Sequence, residues 1–171
     1  LLKETYRYQK KIRMLSKLLY KLMLRWMTFT FFWTSKYKGG RYMPTSKIYG
    51  LKTNLNPIKK ELSAVINSCV SNALNFPKEK RLQRFFPMET EDFYHGEGRS
   101  DKYTIIEIAL FEGRSKETIR ELITSLYSEI EKHFGISKVD VDILIIELPK
   151  QNWGLQGALG DEQNLGYKVE I

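Results

Sequence analysis

The chain has 171 residues, enough for one domain with a substantial core, and a formal net charge of +8. The charge is unevenly placed: residues 1–43 carry eleven Lys/Arg against the single acid Glu4, while residues 44–171 carry seventeen against nineteen Asp/Glu. The domain-sized part is therefore slightly acidic and gives no support for a nucleic-acid partner. A lone cysteine, Cys69, excludes an internal disulfide framework or a cysteine-rich zinc site, and implies a reducing, cytoplasmic setting.

Residues 1–43 form the first segment, and they are unlike the rest. Ten of the chain's twenty-two aromatic residues fall within 1–42, which hold no proline. Three readings fit: a basic helix lying on an anionic membrane, a targeting segment, or translated upstream sequence that encodes no fold. The apolar run "LLYKLMLRWMTFTFFW" is broken by Lys21 and Arg25 and is short for a membrane span. Lys38-Gly39-Gly40 can be encoded by a purine-rich ribosome-binding sequence at a suitable distance before Met43, and this favours the third reading. The expected division is thus 1–43 outside the fold and 44–171 as the domain. A genuine prefix would instead make the protein membrane-associated.

After Met43, "SKIYGL" reads as a strand. A helix is predicted next, with Asn56 as its cap and Pro57 in its first turn. Its apolar face is Ile58, Leu62, Val65, Ile66, Cys69, Val70, Ala73 and Leu74, recurring every three or four residues. "RLQRFFPM" is a second strand whose Pro87 suits an edge, and a polar loop leads to the β-branched "YTIIEIALF". Ser115 caps a second helix whose buried face is Ile119, Leu122, Ile123, Leu126, Tyr127, Ile130 and Phe134, and Gly135 stops it. "VDVDILIIEL" is the fourth strand, and "YKVEI" at the end is a short pairing strand.

The order, strand–helix–strand twice over, is that of an α/β (α+β) fold of two right-handed βαβ units. Leu62 and Leu122 hold matching helix positions, as an internal duplication would place them. Two helices then cover one face of a four-stranded mixed sheet, and the other face requires cover from an oligomer.

"FEGRSKETIRELI", "DVDILIIELPKQNWGLQG" and Pro44 behind Met43 together resemble the tautomerase superfamily, over about residues 43–171. The arrangement of two fused units looks most like the malonate semialdehyde decarboxylase branch. The resemblance implies a metal-free, cofactor-free homotrimer acting on a small enol or keto carboxylate, with an amino-terminal proline as general base and acid. Pro44 would fill that role once Met43 is removed. A free prolyl nitrogen is a basic amine, and an apolar pocket with nearby cations favours its neutral form. The same nitrogen inside a chain is an amide without useful basicity.

The resemblance makes Arg114, in the Gly-Arg-Ser turn, the candidate for gripping a substrate carboxylate. Arg99 is a second substrate-binding candidate or a solvated loop charge, and Trp153 is a pocket wall or a packing anchor. Glu107 is a helper acid or an interface ion-pair member. His95 reads as a surface residue, His133 as a favourable charge at a helix C-terminus, and Cys69 as core. Three positions depart from the family pattern. Lys80 stands where the decarboxylase has an Asp, Glu112 replaces an arginine, and Asn54 stands where short tautomerases have an arginine. The departures argue against that decarboxylation and leave Lys80 or Arg81 as possible anion contacts. A dehalogenase or hydratase variant of the proline chemistry, or a non-catalytic trimeric binding module, are the alternatives.

Overall fold

The structure, a computed structural model, describes residues 44–162. The segment 1–43 and the expected strand "YKVEI" lie outside the described residues.

Four strands form one sheet: β1 (Thr45–Leu51), β2 (Leu82–Met88), β3 (Thr104–Phe111) and β4 (Val141–Leu148), in the order β2-β1-β3-β4. β1 runs parallel to β2, β3 runs parallel to β4, and the central β1–β3 pair is antiparallel. Each parallel pair is joined by a helix, α1 (Lys52–Ala73) or α2 (Lys116–Phe134), as a parallel connection requires. The predicted fold of two fused βαβ units is the observed one.

Alternation along the strands decides the two faces. Ile48, Ile106, Ile108 and Leu110 point under the helices, where they meet Leu55, Leu62, Ile66 and Val70 of α1 and Leu122, Leu126 and Ile130 of α2 in one core. Each such side chain contributes about 1.5–3 kcal/mol by leaving water. Cys69 is buried here as expected, and burial pushes its thiol pKa up.

α2 begins and ends as predicted. The Ser115 side chain accepts from the Thr118 N–H at 3.1 Å, and Gly135 closes the helix at φ 58°. That left-handed conformation is inexpensive for glycine alone.

α1 departs from expectation. It starts at Lys52, directly after β1, so Pro57 lies inside it and Asn56 is no cap. Asn56 Oδ1 instead accepts from Lys59 Nζ at 3.2 Å. Leu55, only 2% exposed, explains the extra turn: its burial outweighs the single backbone hydrogen bond that Pro57 cannot make.

Neither described helix covers the opposite face of the sheet. Leu82, Phe86, Leu144 and Ile146 remain 40%, 39%, 46% and 37% exposed there. At its centre Glu107 Oε2 accepts from Tyr49 Oη at 3.2 Å and lies 3.5 Å from Lys47 Nζ. No helix among the described residues is long and apolar enough to cross a membrane.

Candidate active site

Pro44 is buried and immediately precedes β1. The ladder pairs Thr45 with Ala109 of β3 and with Leu82 of β2, so one step further on Pro44 stands level with Leu110 and Arg81. β3 ends at Phe111 on this side of the sheet, and the Gly-Arg-Ser turn follows at once. Arg114 is itself buried, 9% exposed, with its Nη1 donating to the Phe111 carbonyl at 2.6 Å. That bond ties the guanidinium to the strand end.

Trp153 reaches the same end through β4. Phe111 pairs with Leu148, and Glu112 N–H donates to the Leu148 carbonyl at 3.0 Å, so the chain leaves β4 beside the Gly-Arg-Ser turn. A short 3-10 turn, Lys150–Asn152, then delivers Trp153, whose ring packs edge-on against Phe111 at 5.2 Å and 76°. A hairpin of β5 (Gly154–Leu155) and β6 (Ala158–Leu159) folds back, and Gly160 N–H donates to the Trp153 carbonyl at 2.8 Å. A Cβ at Gly160 would lie 2.4 Å from the Lys150 carbonyl oxygen, so only glycine permits this approach. The Trp153 Nε1–H is buried with no hydrogen-bond partner among the described residues.

The topology therefore brings Pro44, Arg114 and Trp153 to one end of the sheet. Within one chain it does not bring Arg99 there. Arg99 lies at the opposite end, beside Tyr103 and the start of β4, about 17 Å of strand away from Pro44. Its Nη2 donates to Asp142 Oδ1 at 2.9 Å, and its guanidinium sits 4.3 Å above the Tyr103 ring. Tyr103 Oη donates to the other Asp142 oxygen at 2.5 Å. The Tyr103 hydrogen bond, with the Arg99 bond and charge, holds the Asp142 carboxyl below its ordinary pKa, and Asp142 raises that of Arg99.

Of the remaining candidates, Glu107 sits on the open sheet face and His133 pairs with Glu129 at 3.2 Å. His95 is edge-on to Tyr103 at 5.9 Å. Asn54 donates to the Asp101 carbonyl at 2.6 Å, again at the Tyr103 end. Sequence reasoning missed Phe111, which anchors both Arg114 and Trp153. Its signal was its place as the last strand residue before the Gly-Arg-Ser turn.

The same residues carry the relationships of the chain. The family described as Tautomerase enzyme matches residues 80–156. A probable tautomerase of Staphylococcus saprophyticus is 32% identical over 59 residues, 34% of this chain and 97% of that protein. One from Staphylococcus haemolyticus is 34% identical over 54 residues, 32% of this chain and 87% of that protein. These relatives have about the length of one βαβ half.

Solved structures extend the likeness to both halves. Native fused 4-OT superposes with a TM-score of 0.63 at 18% identity, covering 70% of this chain and 98% of that one. Malonate semialdehyde decarboxylase gives 0.59 at 20% identity, covering 66% and 90%. The chain belongs to the tautomerase superfamily. Its paired βαβ units place it with the long-subunit members.

Proposed function

We propose that this protein is an enzyme that moves a proton between oxygen and carbon of a small enol or keto carboxylate, with the amine of an amino-terminal Pro44 as the shuttle. The observation that carries the reading is the register that sets Pro44 level with Leu110, one residue before Phe111 and four before Arg114. The Arg114 fork would hold the substrate carboxylate and draw charge toward it as the enolate develops. Trp153 would wall the pocket and offer its Nε1–H as a donor. The neutral amine takes the enol proton and returns it to the neighbouring carbon, so the base is regenerated in each cycle.

The proposal requires a chain that begins at Pro44, with residues 1–43 absent from the working protein. It also includes a homotrimer, since the open sheet face exposes Leu82, Phe86, Leu144 and Ile146 together. A fused 4-OT of the same fold is described as a trimer. Arg99 would then serve the site only as a residue supplied across a subunit boundary.

Intact-mass measurement of the native protein tests the start, with a mass matching residues 44–171 expected. Phenylpyruvate tautomerisation by protein beginning at Pro44 tests the chemistry. No turnover across a panel of enol acids, together with no labelling of Pro44 by an electrophile, would leave the non-catalytic binding module as the surviving reading.

A further inference from the structure

The two βαβ units repeat with a constant spacing of 60 residues. β1 ends at Leu51 and β3 at Phe111; β2 ends at Met88 and β4 at Leu148; the 3-10 turns after them end at Asp92 and Asn152. Each half is thus an internal control for the other, and the surface beside β2 is one place where they differ.

Between α1 and the edge strand β2 lies a groove of about 510 Å³, lined by Lys59, Lys60, Ser63, Arg81, Gln83 and Phe85, with Ala64 at its base. Sixty residues on, Lys59, Ser63, Arg81 and Gln83 correspond to Ile119, Ile123, Val141 and Ile143. Val141 is buried, and Ile143 and Ile145 pack on the core. What the second half fills with aliphatic side chains, the first half opens and lines with donors.

The lining is chemically one-sided. Among the described residues no carboxylate lines the groove. The carboxylate next to Lys60 in sequence turns elsewhere: Glu61 lines the groove on the other side of α1, toward α2, together with Glu121 and Glu129. None of Lys59, Lys60 and Arg81 forms an ion pair among the described residues. Ser63 Oγ donates to Gln83 Oε1 at 2.5 Å, which uses the amide's acceptor and leaves its NH₂ group as a further donor. Two point-charge ammoniums, one planar guanidinium and an amide NH₂ therefore share a cavity of small-ligand size, with Phe85 as an apolar wall.

We infer that this groove, whose Arg81 stands level with Pro44, binds a small, multiply charged oxyanion, a polyphosphate or polycarboxylate. Three like charges lining one groove, with no counter-ion among the described residues, repel one another, and a polyanion that accepts from all of them relieves the repulsion. None of these donors is the Pro44 amine, so binding does not require a chain that begins at Pro44.

Calorimetric titration of the full chain with inorganic pyrophosphate, and separately with citrate, tests it against the Lys59→Gln/Lys60→Gln/Arg81→Gln variant. The basic segment 1–43 is present in both proteins and cancels in the difference. At least a tenfold weaker Kd in the triple variant is expected for one of the anions, and which one identifies the headgroup chemistry. Arg120→Gln, the second-half counterpart of Lys60, should bind as the unaltered chain does. If the triple variant loses its helical circular dichroism, Arg81→Gln alone carries the comparison, with a severalfold weakening expected. The inference is overturned if neither anion binds at millimolar concentration, if the variants bind undiminished, or if Arg120→Gln weakens binding equally. Binding of only a long polyanion such as heparin would also overturn it.

Discussion

The first and second βαβ units share a skeleton and differ at their ends. Core positions 60 residues apart stay large and buried in both: Ile48 and Ile108, Leu62 and Leu122, Ile66 and Leu126, Val70 and Ile130, Phe76 and Ile136. Close packing explains the match, because a void or a clash at any of these sites costs several kcal/mol. The strand ends carry no such penalty, and there the halves part. Pro44 corresponds to Thr104, Asn54 to Arg114, and Phe93 to Trp153.

At the Thr104 end Arg99, Asp142 and Tyr103 form a hydrogen-bonded cluster, with Phe93 stacked on Tyr103 at 5.3 Å. At the Pro44 end, the Trp153 Nε1–H has no hydrogen-bond partner among the described residues. Equal frames with unequal ends show that the fold supports two equivalent positions, and that side chains alone distinguish them.

The widest predicted contrast between the ends is catalytic. In protein beginning at Pro44, Pro44→Ala should lower turnover of an enol acid by about 10²–10⁴, the usual worth of a positioned base. Thr104→Ala should leave turnover within a few fold, and comparable losses in steady-state assays would erase the distinction. Leu62→Ala and Leu122→Ala instead test the sameness of the cores. Each should cost about 2–5 kcal/mol in urea unfolding, and values that agree closely would mark the packing as equivalent.

Arg114→Gln should reduce kcat/KM by about 10- to 100-fold, consistent with loss of a hydrogen bond to a charged group. Asn54→Gln at the other end should change it little. Helix capping separates the halves more mildly. Ser115→Ala should lower stability by about 1 kcal/mol, whereas α1 has no side-chain cap to remove, since Leu51 precedes it.

The smallest effect is in the pH dependence of the Thr104 end. Asp142 has a folded-state pKa below its ordinary 3.8, chiefly through the Tyr103 hydrogen bond. A depressed carboxyl contributes stability above the ordinary value and loses it as pH falls through the folded one. The Tm advantage of the unaltered chain over Asp142→Asn should therefore be present at neutral pH and shrink below about pH 4. An advantage that is constant with pH would mean that the carboxylate's charge plays no part.

What the sequence determined by itself is what depends on local chemistry and periodicity. The apolar residues at steps of three and four placed both helix faces. Ser115 and Gly135 marked the limits of α2, and the β-branched runs marked the strands. The pairing of a strand end with the Gly-Arg-Ser turn was legible because it follows from chain order.

Tertiary structure decided the rest. Burial of Leu55 extended α1 past the Pro57 that local rules set at its start. The antiparallel β1–β3 register carried Arg99 to the far end, because a loop before β3 emerges where β1 finishes, a fact that linear spacing does not contain. The basic groove was equally hidden, since Lys59, Arg81 and Gln83 come from two elements that meet only when α1 packs beside the sheet edge.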